Sequence, residues 1–98
     1  MAMQTLTLPG YMGRPYEVTG DVLAGLMLHK VHKSWMITHA ASGCTIGPGD
    51  KLQRDAKARR DRLLALASDW TPESIEGIAK ANGMETRALV DAVRARAY

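Results

Sequence analysis

Four side chains in the first half of the chain have the chemistry to ligate a metal or activate a nucleophile: His29, His32, His39 and Cys44. Cys44 with His39 has the composition of a thiol–imidazole pair, in which the base lowers the proton affinity of the sulfur. His29 and His39 lie in two strand-like runs joined by His32-Lys33-Ser34. A three-residue connection sets His29 opposite Ile37 and His39 opposite Met27, so both rings share a face, diagonally, within reach of one ion. Zinc sites ordinarily use close pairs such as Cys-x-x-Cys or His-x-x-x-His, and this sequence has none, so the expectation is no metal and no cofactor. Catalysis lacks a third group. Ser42 before Gly43 reads as a turn residue, and Asp69 and Glu73 flank a helix junction where a cap or dipole role suffices. Gly47-Pro48-Gly49 is not followed by the Lys-Ser/Thr of a phosphate loop. The expectation is a non-enzymatic protein with no catalytic residue.

Two other constellations point to binding. The net charge of +3 is concentrated in residues 50–70, which carry a net +2 through Lys51, Arg54, Lys57, Arg59, Arg60 and Arg62. Such a stretch attracts phosphate or an acidic protein surface, and otherwise serves as a solvated helix face. Arg54, Lys57, Arg59, Arg60 and Arg62, with Trp35 on the sheet, are the expected partner-binding residues. Residues 75–96 have the outline of a helix-turn-helix, with Ala79 at the crossing, Gly83 in the turn, and Leu89 and Val93 holding the second helix. Thr86, Arg87 and Arg94 are the DNA-contacting residues in that alternative. Residues 71–98 carry no net charge, which favours a plain packing hairpin over a phosphate-binding one.

The elements that must position these groups fall into a β half, 1–49, and a helical half, 50–98, of one domain. Ninety-eight residues with 46% hydrophobic and 23% charged content are ordinary globular composition and allow a single modest core. One cysteine excludes an intramolecular disulfide. No apolar run approaches a membrane span, and no secretory signal opens the chain, so a cytoplasmic protein without membrane contact is expected. Gln4 to Leu8 alternates as a half-buried strand, and Tyr16-Glu17-Val18 predicts a short one. Leu26 to Val31, Trp35 to Ala40 and Cys44-Thr45-Ile46 continue an antiparallel meander. Asp50 with Gln53 has the form of a capping box, opening an amphipathic helix of about five turns. Arg59 and Arg60 interrupt its apolar stripe, which predicts exposure or a bend there. Thr71-Pro72 predicts the next helix start, Asn82-Gly83 its stop, and Arg87 to Ala97 a third helix. Trp35 and Trp70 are expected to fill a core that has no Phe, and the methionines to pad it or form an adaptable contact surface. The fold class predicted is α+β: three or four antiparallel strands, then a long amphipathic helix and a C-terminal helical hairpin, packed on one face.

The segment from Trp35 to Gly43 has the pattern Trp-x-x-Thr-His-x-x-Ser-Gly, and a helix ending at Asp69-Trp70 accompanies it. The pattern resembles a hairpin of small phage and prophage proteins and covers about the middle third of the chain. That resemblance implies a mobile-element accessory protein of the kind that includes anti-CRISPR inhibitors. It implies as partner a host protein or nucleoprotein complex, with direct nucleic-acid contact admissible. Duplex mimicry by acidic side chains does not fit a basic chain. The function expected is inhibition of a host defence nucleoprotein complex; the alternative is a small DNA-binding regulator using residues 75–96.

Overall fold

The computed structural model describes residues 3–8 and 14–97. Polar–apolar alternation and tight turns build a five-stranded meander in sequence order, antiparallel throughout: β1 (Met3–Leu8), β2 (Tyr16–Leu23), β3 (Leu26–Val31), β4 (Ser34–His39) and β5 (Cys44–Thr45). Three helices follow: α1 (Gln53–Leu66), α2 (Ile75–Ala81) and α3 (Thr86–Ala97). The architecture is α+β, with one strand more than the three or four expected. Residues 16–18 grow into an eight-residue strand because β2 pairs with β1 along Tyr16 to Asp21 and with β3 along Asp21 to Leu23.

The β3–β4 connection is tighter than His32-Lys33-Ser34. Ser34 is already in the strand, opposite Val31, and His32 takes a positive φ of 55° to close the turn. One residue fewer in the loop shifts the register and changes which side chains share a face. His29 is opposite Met36, and His39 is opposite Leu26. The two histidines therefore lie on opposite faces, which overturns the expected diagonal pair.

One face of the sheet, with Leu26, Leu28 and Ile37, packs against the helices, and the core continues through Ala56, Leu63, Ala67, Trp70, Ile78, Ala79 and Leu89. Trp70 is 2% exposed. Its backbone N–H donates to the Ala24 carbonyl at 2.8 Å. Gly25 (φ 93°) lets this close approach happen, since a Cβ there would lie 2.4 Å from the Trp70 carbonyl. On the other face Met27, His29 and Thr38 are buried as well. Here Gly20 of β2 approaches β3 closely: a Cβ would sit 2.9 Å from Met27 Cγ and from His29 Cβ.

His29 bonds Thr38 Oγ1 through Nε2 at 2.6 Å, while its buried Nδ1 has no hydrogen-bond partner. Burial holds the imidazole below its ordinary value of 6.5. As pH falls, the unfolded chain takes up this proton before the folded one does, so the folded state loses stability below that value. Thermal melts are expected to show the midpoint falling between about pH 7 and pH 5, with a shallower fall in His29→Gln. Equal slopes for the two proteins would remove His29 as the cause.

The helix boundaries differ from the expected caps for identifiable reasons. Asp50 does not cap α1. Its backbone bridges Trp35 (2.7 and 2.9 Å) and its carboxylate meets Arg59, so the helix starts later, behind Leu52, without a side-chain cap. Thr71-Pro72 does not open α2. The Asp69 carboxylate accepts both the Thr71 hydroxyl (2.6 Å) and its N–H (3.0 Å), which holds the carboxyl below the usual range. Ser74 caps α2 instead, accepting the Gly77 N–H at 3.0 Å. Asn82 ends α2 as expected, and its side chain clamps the preceding linker through the Asp69 carbonyl (2.8 Å) and N–H (3.1 Å).

Candidate functional site

The basic helix does not present all its cations. Ala56, Arg59, Arg60, Leu63 and Ala67 recur at the spacing of one helix face, and all five are buried. Arg60 is 1% exposed and reaches across to β2, donating to the Asp21 carbonyl at 2.8 Å and to its carboxylate at 2.9 Å. Arg59 is buried beside it, with its guanidinium 2.8 Å from the Asp50 carboxylate. Arg59 and Arg60 are thus corrected from contact residues to core ion pairs. The arginines do not break the apolar stripe; they occupy it, because two aspartates on other elements neutralise them there. Arg54, Lys57 and Arg62 remain exposed, together with Lys51. Asp55 and Asp61 are exposed on the same helix and dilute that charge.

Trp35 is only half-buried. The Lys30 ammonium stands 5.9 Å from its ring centroid, a cation–π contact. The alternative residues Thr86, Arg87 and Arg94 lie along α3, with Arg87 and Arg94 exposed and Asp91 exposed between them.

His39 joins the sheet to the helical half. Its Nε2 donates to the Trp70 carbonyl at 2.7 Å, which fixes the proton on that nitrogen. Nδ1 then accepts from the Ser42 hydroxyl at 2.7 Å. A serine on an oriented imidazole has the form of a nucleophile–base pair. Its surroundings belong to the turn, however: the Gly43 N–H donates to the His39 carbonyl (2.8 Å) and the Cys44 N–H to Ser42 Oγ (3.3 Å). Cys44 is exposed and opposite His39 in register. Both ring nitrogens are already bonded elsewhere, so the thiol–imidazole pair is not formed.

The concave feature of this side of the molecule went unread in the sequence. Two hollows adjoin where α2, α3 and the β4–β5 turn meet, sharing Ile75 and Val93. One, of about 500 Å³, is lined by Ile75, Val90, Val93 and Arg94. The other, of about 290 Å³, has Ile46 and Ile78 in its wall and His39, Ser42 and Glu73 as polar groups. Ile75, Val90 and Val93 were legible only as helix core. The available signal was the apolar stripe of α3, where Leu89 is fully buried but Val90 and Val93 are only half-buried although the helix packs against both α1 and α2.

No family model matches the sequence, and comparison with curated proteins and with solved structures finds no match either. Neither the fold nor these comparisons support the expected phage, anti-CRISPR or nucleic-acid-binding character. The chain is an α+β fold with an open sheet, and its basic helix turns two of its arginines into the core.

Proposed function

We propose that this chain is a non-enzymatic binding protein that grips a partner protein segment in the groove between α3 and the β4–β5 turn. The segment presents a bulky apolar side chain to Ile75, Val90 and Val93 and a carboxylate to Arg94. The adjoining apolar hollows, with one exposed arginine in their lining, are the observation that carries this reading. An apolar pocket with few polar groups is where binding energy concentrates, and a guanidinium adds orientation through paired hydrogen bonds. The exposed Arg54, Lys57 and Arg62 favour the approach of an acidic partner.

A displayed peptide library selected on the intact protein tests this. Enriched sequences are expected to combine an aromatic or branched aliphatic residue with Asp or Glu. Their affinity is expected to drop about tenfold or more in Arg94→Glu, the loss of a charged contact worth some 1.5–3 kcal/mol. Peptides that bind Arg94→Glu and Val90→Glu as well as the parent would place binding elsewhere.

A further inference from the structure

The β1 edge of the sheet is built differently from the opposite edge. Beyond β4 lie only the two residues of β5 and a returning chain with Gly47, Pro48 and Gly49, which keeps to β4 through the Ile46 and Asp50 backbone bonds. At the other side β1 offers six residues, all in register with β2 and with no partner strand on the outer side among the described residues. Its sequence, Met-Gln-Thr-Leu-Thr-Leu, has no charge, no proline and no bulge. These are the devices by which edge strands ordinarily prevent pairing with another chain.

Beyond Asp21 the β1–β2 ribbon also has no third strand. β2 pairs with β3 only through Asp21, Val22 and Leu23, and among the described residues the backbone of β1 lies close to no element but β2. A two-stranded ribbon is marginal by itself and is secured by one more strand. It carries exposed Met3 and Tyr16, at 61% and 45%, and half-buried Leu6 and Val18.

We infer that β1 pairs antiparallel with β1 of a second copy, giving a two-fold dimer with a continuous ten-stranded sheet. A second copy fits because the strand is neutral at every position: pairing it with itself sets no like charges opposite each other. A two-fold contact also closes on itself, leaving neither β1 edge open. In a register centred on Thr5, Gln4 is opposite Leu6 and Met3 opposite Thr7 of the partner. The contact is one short strand per copy, so association is weak and concentration-dependent.

Sedimentation velocity of the full chain over a dilution series tests this. Dimer is expected to appear with rising concentration. Met3→Lys with Thr7→Lys, both exposed and opposite each other in that register, is expected to remain monomeric with an unchanged far-ultraviolet spectrum. Mixing it with Met3→Glu/Thr7→Glu, which sets lysine opposite glutamate, is expected to restore a heterodimer, which separates loss of pairing from loss of fold. A parent that stays monomeric at the highest concentration overturns the inference. So does a dimer that persists in the lysine variant, or a failure of the mixture to pair.

Discussion

Arg60→Ala is expected to lower folding stability by about 3–5 kcal/mol, because it strips the guanidinium from a carboxylate held in the interior. The Asp21 side chain is 12% exposed and the Arg60 side chain 2%, so water cannot replace the lost partner at either end. The charge itself is not what the fold requires. Replacing both members with apolar residues of similar volume, Arg60→Met with Asp21→Leu, is expected to recover most of the loss, since the desolvation of both ions disappears with them. Chemical denaturation of the two single variants and the double gives the coupling directly. Additive losses would mean that the pair contributes nothing beyond packing. The same comparison at Arg59→Ala is expected to show a smaller effect, because its partner Asp50 is 27% exposed.

Trp70→Ala is expected to cost about 3–5 kcal/mol through the cavity left at the junction of sheet and helices. The indole N–H donates to the Ala67 carbonyl, so Trp70→Phe is expected to lose about 1 kcal/mol for that bond, along with the smaller volume change. The backbone bonds to Ala24 and His39 do not depend on the side chain. A measured loss below that of an ordinary leucine truncation would show that the site collapses around the missing ring.

The β half was legible where alternation and turn residues agreed, and that was enough to fix the antiparallel meander and its order. Its register was not, because a single residue more or less in the His32-Lys33 turn moves His29 to the other face. Nothing in residue type distinguishes a two-residue from a three-residue connection when glycine is absent. In the helical half Asn82-Gly83 marked its stop correctly, since the Asn82 side-chain bonds to Ile78 and Asp69 hold that helix end rather than compete with it. Asp50 failed as a cap because its carboxylate meets Arg59, and Thr71 because the local Asp69 carboxylate, two residues back, holds its hydroxyl and N–H. The burial of Arg59 and Arg60 was readable in their spacing to Ala56 and Leu63, but the aspartates that permit it are remote in sequence. The groove was invisible for a related reason: apolar periodicity tells which face of a helix avoids water, not whether the neighbouring element is long enough to cover it.

The order of the strands has a kinetic consequence. Each strand pairs with the one next to it in the chain, so each hairpin closes a short loop and loses little entropy in doing so. The links from Arg60 to Asp21 and from Trp70 to Ala24 and His39 span much longer loops. Contact order therefore divides folding into rapid local pairing and a slower docking of the helices. Until that docking, Leu26, Leu28 and Ile37 stand open to solvent, and the chain is at its most vulnerable to proteases and to other unfolded chains.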